Sequence, residues 1–219
     1  MPGGYRRVSD LPALIPVFPL DGALLFPGAQ LPLQIFEPRY LNMVDDAMRG
    51  ERIIGMIQPT EHEDKALKPT LSAIGCAGRI TAYRETEDNR YLITLTGICR
   101  FAAGDELDRP TPYRLVRPDF ERFARDLAPD EPPLEFDRTA FLALLRRYMD
   151  HKNLAMEWEA ARQAPADALI NMLASGLPLD RAEKQALLEA PRLADRLSVL
   201  QTLLAIDAAT DDDGPTPLQ

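Results

Sequence analysis

A chain of 219 residues with 46% hydrophobic and 27% charged residues has an ordinary globular composition, and is long enough for one large domain or two small ones. Its formal net charge of −9 disfavours a general role on phosphate backbones, no apolar run is long enough to span a bilayer, and no basic start followed by an apolar stretch marks a secretion leader. The expectation is therefore a cytoplasmic protein with no nucleic-acid or membrane partner. Proline is the departure: twenty in 219, against a usual share of about 5%, cut the apolar segments into short extended pieces.

The first half reads as strands. "LIPVFPL" (14–20) and "LPLQIF" (31–36) are apolar runs broken by proline. Between them, Leu25 and Phe26 precede the Pro27–Gly28 turn signal. They either plug a core or, at a rim, form an apolar patch for a partner; packing is the favoured use. From Pro38 the period turns helical, with Tyr40, Val44, Ala47 and Met48 on one face, Pro38 in the first turn, Arg49 in the last and Gly50 as the stop. Arg39 is a cation where the helix dipole disfavours one. Pairing with Glu37 accounts for it better than a ligand contact.

"RIIGMIQ" (52–58) reads as a buried strand and "EHEDKALKPT" (61–70) as a charged loop in which His62 is solvated rather than metal-bound. "CAGRITAY" and "YLITLTGICRF" flank the polar turn "RETEDNR" (84–90) as two arms of a hairpin, in which Gly97 marks a bulge or bend. Cys76 and Cys99, both in strand-like segments, are expected as buried reduced thiols. "PYRLVRP" (112–118) is the last strand. Half a dozen short strands with one helix suggest a small closed or half-closed barrel.

Residues 126–136, "DLAPDEPPLEF", form a linker by composition. Helices follow. Asp137 caps one with the stripe Phe141, Leu144, Leu145, Tyr148 and Met149. "LAMEWEAAR" (154–162) and "PADALINMLAS" (165–175) come next; Trp158, bracketed by Glu157 and Glu159, is a candidate contact residue, although helix packing is the commoner use of a single tryptophan. Asp180 with Glu183 makes an acidic capping box, and Pro191 opens a final helix with Leu193, Leu197, Leu200 and Leu204 on one side. The tail 209–219 has nothing to bury.

"FPLDGALLFPGAQLPLQIFEPRYLNMV", "GCAGRITAYRETEDNRYLITLTGICRF" and "LPLDRAEKQALLEAPRLADRLSVLQTLL" resemble, in order, the opening, the central strands and the end of the N-terminal domain of Lon proteases. The resemblance covers about residues 12–206. It implies an α+β fold: a barrel like that of pseudouridine synthase and archaeosine transglycosylase (PUA-like) with a covering helix, over 12–125, then a C-terminal α-helical bundle over 137–208. It also implies a free-standing substrate-binding domain, a non-catalytic polypeptide-binding module serving as an adaptor in protein quality control. Its partners would be unfolded or tagged polypeptides and a protease or chaperone machine, with weak self-association. Neither the phosphate-binding loop G-x-x-x-x-G-K-[ST] nor a serine with lysine three residues on occurs, and no cofactor, metal or catalytic residue is expected.

The candidate binding residues are Leu25, Phe26, Pro27, Arg39, Tyr40 and Trp158. The alternative, from other proteins with this barrel, is RNA or nucleotide binding. It would need a local basic patch such as Arg79, Arg84, Arg90 and Arg100.

Overall fold

The computed structural model describes residues 4–60, 68–128 and 134–209. His62 with most of the charged loop, the centre of the linker and the tail from 210 on lie outside these residues. The fold is α+β. In chain order the elements are β1 (Ile15–Pro19), β2 (Gln30–Ile35), α1 (Pro38–Arg49), β3 (Ile53–Pro59), β4 (Leu71–Glu85), β5 (Tyr91–Leu107), β6 (Arg114–Asp119), α2 (Arg138–His151), α3 (Trp158–Gln163), α4 (Ala166–Gly176), α5 (Arg181–Glu189) and α6 (Leu193–Ala209). They divide into two compact units: Met1–Glu131 with Pro178–Glu189, and Pro132–Leu177 with Ala190–Gln219.

In the first unit the strand order is β2-β5-β4-β3-β1-β6, and a further pairing of β5 with β6 closes five strands into a ring. The small barrel expected from the strand count is therefore closed. Two strands are much longer than expected, β4 with 15 residues and β5 with 17. Closure depends on that length. The first part of β5 pairs with β2, Gln30 opposite Thr96 through Ile35 opposite Tyr91. Its last part pairs with β6, from Ala102 opposite Asp119 to Leu107 opposite Leu115. Register shifts at Ala77/Gly78 and Ile80/Ala82 supply the extra twist that coils so long a ribbon.

The barrel core is built around Phe101, which has no exposed surface. Its cross-strand partner is Gly75. A Cβ on Gly75 would stand 2.7 Å from the Phe101 ring, and one on Gly55 2.9 Å from it, so the two glycines leave the space the ring fills.

Helix α1 has its expected ends, Pro38 at the start and Gly50 as the cap, and it buries Tyr40, Met43, Val44 and Ala47. The segment before β2 turns at Phe26–Ala29: Ala29 N donates to Phe26 O at 3.0 Å, and Gly28 has φ +78°. Proline then glycine at the two central positions is what a type II turn asks for. The turn is clamped to β5 by Gly97 N donating to Ala29 O (2.9 Å) and Gly28 N donating to Gly97 O (3.0 Å). Gly97 is at the expected bulge, since Ile98 has no partner between Gly97–Gly78 and Cys99–Ala77. A Cβ at Gly97 would also overlap the Phe26 carbonyl.

Helix α5, which the sequence groups with the later helices, belongs to the barrel unit. Gln185 Nε2 donates to Ile74 O at 3.1 Å, Gln58 Nε2 donates to Arg181 O at 3.2 Å, and Lys184 Nζ donates to Gly22 O at 2.7 Å. Arg100 completes the attachment. Its guanidinium donates to both Asp126 carboxylate oxygens at 2.9 and 2.8 Å and to Leu188 O at 3.0 Å, and it stacks 4.5 Å from the Phe123 ring. Asp126 and Leu127, expected in the linker, close the 3-10 segment Glu121–Leu127, where Leu127 is buried. An aspartate matched to a buried arginine is a tertiary fact that composition does not display.

In the second unit Asp137 caps α2 by accepting from Ala140 N, and Phe141, Leu145, Tyr148 and Met149 are buried. Helix α6 packs against α2 and α4 with Leu200 and Leu204 buried. Arg196, also buried, donates to Asn171 Oδ1 of α4 at 2.7 Å.

Candidate functional site

The second unit carries an open apolar groove of about 410 Å³. Local chain geometry makes it. Helix α2 ends in a Schellman turn: Leu154 N donates to Met149 O at 2.8 Å, Asn153 N donates to Asp150 O at 3.2 Å, and Asn153 takes φ +53°. Helix α3 therefore starts at Trp158 rather than near residue 154, and Ala155 and Met156 reach the groove from an irregular segment. On α3, Ala160 and Ala161 are too small to fill the space.

The floor is formed by Met149, Leu169, Leu173 and Leu177, all buried. The rim carries Met156, half-buried, and Met172, 52% exposed. Glu157 is the one charged lining residue. Such a site has apolar area and flexible thioethers but no nucleophile, acid–base pair or anion cradle, and it suits binding of varied apolar side chains.

Of the six residues singled out from sequence, Trp158 is the one beside this groove. It is half-buried at the start of α3, and the Arg146 guanidinium lies 4.6 Å from its ring, tying α3 to α2. The other five belong to the barrel unit. Leu25 and Phe26 are 1% and 0% exposed, so they are packing residues and present no rim patch. Pro27 is half-buried in the turn. Tyr40 is buried against Phe18 with ring centres 4.2 Å apart. Arg39 lies over the Tyr40 ring at 4.5 Å and donates to Glu37 at 2.9 Å, the pairing expected for a cation in that place.

The groove itself was not singled out from sequence, because its residues come from three helices and a turn. One signal was available: three of the chain's seven methionines fall between 149 and 172.

Several other polar residues make structural pairings. Asp45 accepts from Tyr91 Oη at 3.0 Å and Asp46 from Tyr113 Oη at 2.7 Å. Burial, then the Asp46 hydrogen bond, pushes the Tyr113 hydroxyl up to about 12. Three of the four arginines of the conceivable basic patch are engaged elsewhere, while Arg84 is exposed. Arg100 is buried on Asp126, Arg79 donates to Tyr5 Oη at 2.7 Å, and Arg90 pairs with Asp88 at 2.8 Å. Cys76 and Cys99 are buried thiols, and burial, followed by the nearby Asp126 charge, pushes the Cys99 thiol well above its ordinary value. Among the described residues no cluster of metal-binding side chains occurs, and no helix is long and apolar enough to cross a membrane.

Residues 14–205 match the family model of the ATP-dependent protease La (LON) substrate-binding domain. The chain belongs to that family. It is 26% identical to a Lon protease of Anaeromyxobacter dehalogenans over 90% of this chain and 23% of that protein. It is 29% identical to a Lon protease of Flavobacterium johnsoniae over 89% of this chain and 24% of that one. It thus spans about a quarter of the length of the curated relatives it matches. The crystal structure of a Lon N-terminal domain protein from Xanthomonas campestris shares the fold, with a TM-score of 0.60, 24% identity, and coverage of 88% of this chain and 97% of that one. The α+β fold implied by the resemblance, a strand barrel with helices after it, is the fold found.

Proposed function

We propose that this chain is a non-catalytic polypeptide-recognition module that takes apolar segments of unfolded or tagged proteins into the helical groove, acting as an adaptor to a protease or chaperone machine. The observation that carries this reading is the methionine- and leucine-lined groove in a chain of a substrate-binding family. Each apolar side chain moved from water into such a groove contributes about 1.5–3 kcal/mol. Two or three anchors, less the cost of association, give modest affinity for a single copy, and avidity would come from the machine it serves. Trp158, held by Arg146 next to the groove, extends the contact surface with a large amphipathic ring.

Gly176 provides the test. It lines the groove, and a Cβ there would meet nothing within 4 Å. Gly176→Phe should occupy the mouth without straining the fold, since replacing a glycine at the end of α4 costs no helix propensity. A fluorescein-labelled decapeptide with Leu and Phe four residues apart should bind the variant about tenfold more weakly, equivalent to one lost anchor, with thermal unfolding unchanged. Equal affinity for both proteins would remove the groove from the reading.

A further inference from the structure

Leu169, Leu173 and Leu177 give the groove three chemically inert aliphatic positions. Met156 and Met172 instead put oxidisable sulfur on the rim. Met172 is 52% exposed, whereas Met43, Met56 and Met149 are 0%, 2% and 5% exposed and Met48 is half-buried. Among the described methionines, the residue with the largest exposed fraction is thus in the apolar groove. We propose that Met172, together with Met156, is an oxidative modification site that turns off apolar binding in the groove. The site is given by the exposure pattern; its consequence for clients rests on the function proposed above.

The oxidant is a hydroperoxide. The methionine sulfur attacks one peroxide oxygen, the S–O bond forms as the O–O bond breaks, and hydrogen peroxide is reduced to water while the thioether becomes a sulfoxide. The product is a polar, chiral group where a flexible apolar one stood, and it is reversible by methionine sulfoxide reductases. The groove offers it little compensation. Its floor is aliphatic and its one charged lining residue, Glu157, carries an acceptor and no donor for the sulfoxide oxygen. An apolar ligand covering that oxygen would leave it without a hydrogen bond.

The test treats the full chain with graded hydrogen peroxide. It maps sulfoxides by peptide mass spectrometry and measures 1-anilinonaphthalene-8-sulfonate fluorescence and binding of the labelled decapeptide on the same samples. Met172 should oxidise first, ahead of the half-buried Met156 and Met48 and of the buried methionines. Decapeptide affinity should fall about tenfold, the equilibrium equivalent of one polar group buried without a partner, with a matching loss of dye fluorescence. In the double variant Met156→Leu/Met172→Leu, each signal measured against that variant's own untreated sample should not fall with peroxide, and a sulfoxide reductase should restore the signals in the parent chain. Oxidation of Met48 ahead of Met172, or equal peroxide sensitivity in the double variant, overturns the proposal. Failure of the untreated chain to bind the decapeptide is a different result: it counts against the function proposed above, while the order of oxidation and the dye signal still decide this site.

Discussion

Phe26 illustrates how a residue that looks available in sequence is consumed by packing. Its ring has no exposed surface, and its carbonyl closes the turn that Gly97 clamps. Phe26→Ser should therefore lower stability by about 3–5 kcal/mol, the range for large-to-small core changes, in chemical denaturation, while the folded fraction keeps its affinity for an apolar peptide. A variant as stable as the parent would mean the ring is not core. Glu106 gives a pH-dependent counterpart. Burial pushes its carboxyl up, but hydrogen bonds from Arg114 at 2.7 Å and from Lys68 outweigh this and hold it below the ordinary glutamate value. A depressed folded value stabilises fully above the unfolded glutamate pKa of about 4.3. That contribution is lost as the pH falls through the lower folded value. Glu106→Gln should flatten the dependence of stability on pH in that acid window and leave its slope near neutrality unchanged.

At the scale of elements, the ends of helices are the clearest local devices. Asp180 Oδ1 accepts from Glu183 N, and Glu183 Oε2 accepts from Asp180 N, both at 2.8 Å, so the capping box read from sequence is present in full. Asp180→Ala should cost about 1 kcal/mol, within the usual 0.5–2 for a lost cap. The loss should show in urea denaturation of the barrel unit, because α5 is attached there through Gln185 and Lys184. What was legible follows the same line. Pro38 and Gly50 bounding α1, Asp137 on α2, the hairpin turn and the Gly97 bulge depend on residues within a few positions of one another, and each is found. Pairing of distant segments was not legible. The polar end of β5, "AAGDEL", does not alternate like a core strand, yet it closes the barrel on β6. The Schellman turn at Asn153 delays α3, and that delay puts Met156 on the groove instead of inside a helix. The stripe reading of these helices accounts for their buried faces but not for the space left between them, so the groove is not legible in the sequence although its neighbour Trp158 is.

For the whole molecule, a net charge of −9 sets how the two candidate ligand classes respond to salt. Polyanion binding needs several cations free to meet phosphates. Of the four arginines that might have met that need, Arg100 is buried on Asp126, Arg79 is tied to Tyr5 and the Glu51 carbonyl, Arg90 faces Asp88, and Arg84 is exposed. The groove has apolar walls and one carboxylate. Apolar burial is not screened by salt at these concentrations, whereas surface charge interactions are screened beyond about 8–10 Å. Between 50 and 200 mM salt the decapeptide should therefore change affinity by less than about twofold, since the groove lining carries one charged side chain, Glu157. A ligand held by six or more phosphate contacts would lose about 10³-fold or more over the same interval. Titrating the full chain with the decapeptide and with a single-stranded RNA of similar length at both salt concentrations separates the two. Salt-insensitive peptide binding with RNA affinity too weak to measure at 200 mM is the expected result. Submicromolar RNA binding at 200 mM would reverse the assignment, because it would require several cations to meet phosphates at once.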